Sequence, residues 1–221
     1  MGRAAAIKVK RLMDVAGATI GLVALSPVLA LAALAVYRSL GRPILFRQVR
    51  PGLHGKSFQI CKFRTMRSPR DGEVWFRTDD QRLTRAGRFL RRSSIDELPE
   101  LWNVLRGEMS LVGPRPLLPE YLELYTPEQA RRHDLRPGIT GWAQVQGRQS
   151  IAFSRRLELD VWYVDHFSLG LDLRILAMTI RDVLLSRGVL PGQDIDEVDD
   201  LDLAGGLSRS SAGPGESPDA P

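Results

Sequence analysis

The chain has 221 residues, 43% of them hydrophobic, a single cysteine (Cys61) and a net charge of +5; it can build one domain with a sizeable core, and it excludes an intrachain disulfide. The charge is divided: residues 191–221 hold eight Asp and Glu against Arg209 alone, leaving 30 Lys and Arg against 18 Asp and Glu in residues 1–190, a net +12. Such a body suits a polyanionic partner, whether nucleic acid, anionic lipid or phosphorylated small molecules, and the widely spaced His54, His133 and His166 form no zinc pattern.

Lys8, Lys10 and Arg11 precede an uncharged run of 22 residues, Val15 to Val36. As one helix this run would be about 33 Å long, enough for the hydrocarbon core of a bilayer. Ser26-Pro27 lies in its middle, where proline removes a backbone donor and crowds the carbonyl of Val23, so a kink is expected. The Ser26 hydroxyl can back-bond to a carbonyl freed by the bend. Arg38, Arg42, Arg47 and Arg50 follow, so both flanks are basic. Basic flanks favour the cytoplasmic side, which fits a re-entrant helix that enters and leaves by one face. A kinked single span is the alternative.

Residues 44–66 read as two short strands around Pro51-Gly52-x-x-Gly55. In an extended Phe58–Arg64, Lys62 and Arg64 share a face and can hold phosphate oxygens; a solvated lysine edge is the plainer reading. Residues 67–80 read as a loop and Arg82–Arg92 as a short basic helix. In Ser93–Pro116, Asp96 and Glu97 open a helix with apolar spacing Leu98, Leu101, Trp102, Leu105, and Pro99 must lie in its first turn. Ser94-x-x-Glu97 fits a capping box, whereas a carboxylate pair among arginines suits a phosphorylated substrate. Gly113-Pro114-Arg115-Pro116 is a rigid loop that fixes Arg115. A helix is expected over Tyr121–Arg132, with Thr126-Pro127-Glu128 as a break or fresh start. A Pro/Gly loop follows from Arg136, then helices at Phe153–Tyr163 and Leu171–Leu185, the latter core or membrane-surface. The acidic, then Gly/Ser/Pro-rich, tail reads as disordered.

These blocks, in this order, resemble the bacterial sugar transferase family, the small monotopic phosphoglycosyl transferases. The resemblance covers roughly residues 8–188. It rests on the apolar helix with Ser26-Pro27, FRQVRPGLHGKSFQICKFRTM, LTRAGRFLRRSSIDELPELWNVLRGEMSLVGPRP, RPGITGWAQVQGR and LDVWYVDHFSLGLDLRIL. It implies transfer of a sugar 1-phosphate from a UDP-sugar to undecaprenyl phosphate at the cytoplasmic face of the bacterial inner membrane, with UMP released and Mg²⁺ required. By the same resemblance Asp96 is the nucleophile of a covalent phosphosugar intermediate and Glu97 the metal-associated carboxylate. Lys62, Arg91, Arg115 and Arg148 neutralise phosphate, and Pro114, Arg115 and Pro116 contact the uridine nucleotide. Gln146 and Gln149 depart from the asparagines of many relatives, and Phe153-Ser154-Arg155 replaces a tryptophan-acidic pattern; both bear on which sugar is used.

The expected fold is α/β and mostly helical, with a membrane re-entrant helix, interfacial amphipathic helices and a small β-hairpin. Residues 1–40 form the basic start and membrane helix, 41–190 the cytoplasmic catalytic domain, and 191–221 the acidic tail. Membrane lipids are expected partners and nucleic acid is not. The oligomeric state is open, a homodimer included. The rival reading is a non-catalytic basic membrane anchor that binds lipid; it leaves the Asp96-Glu97 and Gly-Pro-Arg-Pro blocks without a purpose.

Overall fold

The computed structural model describes residues 2–70, 79–147 and 151–185. It is mostly helical, with two small sheets. The acidic tail lies outside the described residues, as does most of the 67–80 loop. Helices α1 (Arg3–Ala24) and α2 (Ser26–Leu40) are bent 64° apart around Leu25. Pro27 falls in the first turn of α2, where its missing donor costs least. Ser26 Oγ donates to the Val23 carbonyl at 2.9 Å, the group a continuous helix would have paired with residue 27. Among the described residues no single helix is long and apolar enough to cross a membrane, and the bent pair passes that test only together. Ile20, Val23, Leu31 and Leu34 are exposed on it.

The base of α1 belongs to the body of the protein. Lys10 is buried and donates to the Val112 carbonyl at 2.9 Å and to Asp172 Oδ2 at 2.6 Å. Asp14, also buried, accepts from Ser110 Oγ and the Leu111 amide, both at 2.9 Å. Arg11 donates to the carbonyls of Val104 and Leu105. Two of the three cations of the basic flank before the apolar run are therefore structural, because buried carbonyls and carboxylates need donors. The base of α1 is accordingly built into the body that follows it.

Strands β1 (Leu45–Pro51) and β2 (Ser57–Phe63) form the expected antiparallel hairpin, with Phe46 opposite Lys62. The basic stretch is two helices, α3 (Asp79–Arg82) and α4 (Arg85–Arg92), separated where Leu83 bridges Met66 and Thr84 caps α4. The helix expected from Ile95 is a 3₁₀ turn (Ile95–Glu97) followed by α5 (Glu100–Arg106), with Pro99 as N-cap. Phe58 and Ile60 of the hairpin pack with Leu101 and Val104 of α5, Ala18 of α1 and Met109.

Three elements escape the sequence reading, the helix at Trp142–Gly147 among them. Ser110–Val112 is a strand, β3, paired in parallel with β4 (Gly138–Thr140), in the stretch read as a Pro/Gly loop. Three-residue strands flanked by Pro and Gly give no periodic signal. The helix expected over Tyr121–Arg132 is instead a 3₁₀ turn (Pro119–Glu123), then α6 (Pro127–Ala130), then a second 3₁₀ turn (Arg131–Asp134). A capping box between Thr126 and Gln129 starts α6, which is the fresh start that Thr126-Pro127 offered. Helices α7 (Trp142–Gly147), α8 (Phe153–Asp165) and α9 (Leu169–Leu184) complete the body. Trp142, Leu159, Tyr163 and Ile175 of these helices form a core with Val112 and Leu135.

The β3–β4 pair is unusually close at Gly113, Gly138 and Gly141. A Cβ on Gly138 would lie 2.1 Å from the Gly113 amide nitrogen, and one on Gly113 would lie 2.2 Å from the Arg136 carbonyl. The backbone bonds Gly113 N–H to Thr140 O (2.8 Å) and Gly138 N–H to Pro114 O (3.0 Å) need that approach. Gly138→Ala should therefore destabilise the fold by about 1–3 kcal/mol. Gly170→Ala in α9, where a Cβ meets nothing within 4 Å, should instead gain about 0.5–1 kcal/mol. Thermal melts of the two variants should move in opposite directions from the wild type.

Candidate active site

Asp96 and Glu97 are presented by the 3₁₀ turn between α4 and α5. Ser94, before the turn, adopts φ +56°, a left-handed conformation that costs a non-glycine residue about 1–2 kcal/mol. It makes no side-chain cap, and the Ser94–Glu97 capping box is absent. Glu97 faces the other way. Its Oε1 accepts from Lys62 Nζ at 2.7 Å and Arg115 Nη2 at 2.5 Å. Lys62 also lies 3.0 Å from Glu100 Oε1. Burial alone would raise the Glu97 pKa, but Arg115 and Lys62 outweigh it and hold the group well below the usual carboxylate range. Glu100 moves up to about 7, through burial first, with Glu97 adding to it.

Each cation has a distinct support. Lys62 sits on β2, whose backbone is clasped by buried Asn103 of α5: Oδ1 accepts from the Cys61 amide (3.0 Å) and Nδ2 donates to the Gln59 carbonyl (2.7 Å). Arg115 rides the Pro114–Pro116 loop. Its carbonyl accepts from Arg132 Nη2 at 2.6 Å, and Arg132 is buried on Asp160, also at 2.6 Å. Arg91, on α4, donates to Thr65 Oγ1 at 3.1 Å. The helix approaches there because Gly87 lies on the Thr65 carbonyl, 2.1 Å from where a Cβ would stand.

Asp96 differs from its neighbour. It is buried, yet its carboxylate has no hydrogen bond or ion pair among the described residues. Burial, with Glu97 adding to it, raises its pKa to about 6 against the pull of Lys62, Arg91 and Arg115. A carboxylate left free, more basic than usual and faced by three cations, is suited to attack an electrophile carrying negative charge.

Lys62, Arg91, Arg115, Asp96 and Glu97 thus come together, with Pro114 and Pro116 holding Arg115. Arg64 does not join them. Its guanidinium donates to the Leu40 and Arg42 carbonyls, at the end of α2, because β2 stops at Phe63 and the strand-face alternation ends with it. Arg148 and Gln149 lie outside the described residues. Gln146 and Arg155 line a groove of about 510 Å³ with Trp142 and Trp162. Phe153 is buried edge-on against Tyr121. Ser26 and Pro27 form the bend described above.

Besides Glu100, sequence reading missed four site residues. Asn103, Arg132 and Asp160 support the site from below, and nothing local distinguishes them from surface polar residues on helices. Arg50 is the fourth: its pKa falls to about 10 through burial and the charge of Arg115, and its hydrogen bond goes to neutral Gln48. This half-buried guanidinium adds positive potential beside Arg115.

The model of one protein family, bacterial sugar transferases, matches residues 5–186. The chain belongs to the bacterial sugar transferase family. It is 55% identical over 181 residues to an uncharacterized sugar transferase, EpsL, of Bacillus subtilis, covering 81% of this chain and 89% of that one. It is 45% identical over 185 residues to the UDP-glucose:undecaprenyl-phosphate glucose-1-phosphate transferase of Caulobacter vibrioides, covering 79% and 69%. The enzyme of the same description from Escherichia coli is 40% identical over 181 residues, covering 77% of this chain and 39% of that longer one. The present sugar transferase is therefore an enzyme of the phosphoglycosyl transferase class, and the reading as an anchor without chemistry is not favoured.

The raised Asp96 pKa has a thermodynamic consequence. The folded sugar transferase holds this proton more tightly than the unfolded chain does, so ionising Asp96 costs stability as pH rises from about 4 to about 6. Asp96→Asn keeps the neutral form at all pH values. It should be more stable than the wild type at pH 7 by about 1–3 kcal/mol, with the advantage vanishing below pH 4. Denaturant melts across that range measure the difference.

Proposed function

We propose that this enzyme transfers a sugar 1-phosphate from a UDP-sugar to undecaprenyl phosphate at the cytoplasmic face of the inner membrane, releasing UMP, in two displacements through Asp96. The observation that carries the reading is the unpaired, buried Asp96 carboxylate beside a Glu97 neutralised by Lys62 and Arg115. The Caulobacter and Escherichia relatives, described as using a UDP-sugar and undecaprenyl phosphate, support it.

In the first displacement an Asp96 oxygen bonds to the phosphorus that carries the sugar. The bond from that phosphorus to the bridging oxygen breaks, and UMP leaves with the electron pair. In the second, a phosphate oxygen of the lipid attacks the same phosphorus. The bond to Asp96 breaks, the carboxylate is regenerated and the polyprenyl diphosphosugar departs. Lys62, Arg91 and Arg115 hold the non-bridging oxygens, so most of the catalysis is positioning and charge neutralisation. Glu97 keeps Lys62 and Arg115 in place.

Glu97 Oε2 has no hydrogen bond or ion pair among the described residues, since both cations take Oε1. One hard carboxylate oxygen beside substrate phosphates is the usual donor set for Mg²⁺. Glu97 would hold the ion, which when bound supplies further neutralisation of the diphosphate. Among the described residues no cluster of three or more His, Cys, Asp or Glu offers an all-protein metal cage.

The lipid acceptor explains the bent helix pair, which we read as re-entrant. Its exposed apolar surface enters one leaflet and returns, leaving the site at the interface where a soluble donor and a lipid phosphate meet. Single cysteines at Lys8 and Arg42, in the Cys61→Ser background, should react with an impermeant thiol reagent only from the cytoplasmic side of inverted vesicles. Labelling from opposite sides would instead identify a kinked span.

The reaction is tested with purified protein, Mg²⁺, undecaprenyl phosphate and a panel of UDP-sugars. Continuous UMP release should require the lipid and Mg²⁺, with no more than one UMP per enzyme formed when the lipid is left out, and should fall by on the order of 10³ or more in Asp96→Asn. The attacking group must be ionised, so kcat/KM should fall about tenfold per pH unit below the Asp96 pKa of about 6. A well-folded enzyme that releases UMP equally well as Asp96→Asn would refute the covalent route.

A further inference from the structure

Helix α4 carries four arginines in eight residues, and they divide between its faces. Gly87 and Leu90 are buried against the body, and Arg91 turns back to Thr65 Oγ1. Arg85, Arg88, Phe89 and Arg92 fall at i, i+3, i+4 and i+7, which is a single helical face, and all four are exposed. Arg85, Arg88 and Arg92 have no hydrogen bond or ion pair among the described residues, and Phe89 between them is 65% exposed.

Arginines alone on a helix face are ordinary solvated charge, and a single exposed ring is ordinary too. Phe89 is not isolated. Its neighbour Leu90 packs with Ala32 and Val36 of α2. That helix exposes Leu31, Leu34 and Tyr37, and it is half of the bent pair that passes the membrane test. Helix α4 therefore flanks the second half of α2, the part that leaves the leaflet in the re-entrant reading. A ring among arginine heads at the rim of an apolar surface is the composition of a helix lying in the headgroup layer. The ring enters the acyl boundary, and the guanidiniums stay with the lipid phosphates. Three guanidiniums without a carboxylate partner among the described residues suit a leaflet of net negative charge. A dissolved polyanion would meet the charges but leave Phe89 in water, and the donor's phosphates are assigned to Arg91, which is not on this face.

We infer that the exposed face of α4, Arg85, Arg88, Phe89 and Arg92, is a docking surface for the anionic phospholipid headgroups of the leaflet that holds the bent helix pair. The inference rests on the re-entrant reading above and adds a second, charge-selective contact to it. Arg91 shares the helix, so the same contact sets the height of the site above the plane of the lipid phosphates.

The test reads lipid contact directly. The full-length enzyme, with Cys61→Ser and a bimane on Phe89→Cys, is reconstituted in vesicles of phosphatidylcholine and phosphatidylglycerol in equal amounts. In matched samples a nitroxide near the headgroup is carried by one lipid or by the other. Quenching by the labelled phosphatidylglycerol should exceed quenching by the labelled phosphatidylcholine by about two- to fivefold. The excess should shrink in about 1 M salt, where the screening length falls to about 3 Å. Arg85→Gln, Arg88→Gln and Arg92→Gln together should make the two labels equal. A bimane on Leu31→Cys, in α2, reports membrane placement independently. Quenching at Leu31→Cys with none at Phe89→Cys overturns the inference, leaving the face in water or under the acidic tail. Equal quenching by the two labels with the arginines intact overturns it as well, as does an unchanged excess in the triple variant. In each of these cases the re-entrant reading stands, whereas no quenching at either position overturns both.

Discussion

One carboxylate oxygen joins three separate parts of the chain. Glu97 Oε1 takes a proton donor from β2 and another from the loop after β3, while its own turn links α4 to α5. Its value is organisational. A buried ion pair is weak evidence of net stability, because desolvation offsets the Coulomb gain. Two cations on one oxygen nevertheless set their mutual spacing. This pairing also settles the division of labour between adjacent acids. Glu97 is held ionised and occupied, while Asp96, one residue away, is left basic and free. The same local burial thus produces opposite shifts, according to which side chain reaches the cations.

Behind the pair stands a layer of neutral and charged supports. Asn103 fixes the strand of Lys62, Gly87 brings the helix of Arg91 against Thr65, and Arg132 on Asp160 holds the loop of Arg115. Each of the three cations is therefore tied to a different element, and each element to the same small body. Preorganisation of this kind matters most for phosphoryl transfer, where there is little covalent machinery to supply and charge must be met in place.

The large features were legible in the sequence because each had a physical signature of its own. The bend at Ser26-Pro27, the hairpin around Pro51-Gly52-x-x-Gly55, and helices α8 and α9 followed from proline chemistry and periodicity. The Asp96-Glu97 pair among arginines stood out by composition. What was not legible depended on distance along the chain. The β3–β4 pair joins residues some thirty positions apart, through strands too short to show alternation. Ser94-x-x-Glu97 had the spacing of a capping box, but tertiary ion pairs drew Glu97 elsewhere. Arg64 lay one residue beyond the end of its strand, so its side chain turned to the carbonyls at the end of α2. Asn103, Arg132 and Asp160 became visible only through what they touch.

The contacts at the base of α1 bear on how the enzyme can be handled. Truncating the chain through the apolar stretch to obtain a water-soluble catalytic fragment would delete Lys10, Arg11 and Asp14 with it. Asp172 would lose its counterion, the Leu111 amide its acceptor, and the carbonyls of Val104 and Leu105 their donor. All of these lie in the body that such a fragment is meant to preserve, and Val112, which loses Lys10 as well, leads directly into the loop of Arg115. A soluble version would have to keep the first helical turns and replace only the exposed apolar surface beyond them. The exposed apolar surface and the folded body share a boundary inside α1, near Asp14, rather than at the end of the apolar run.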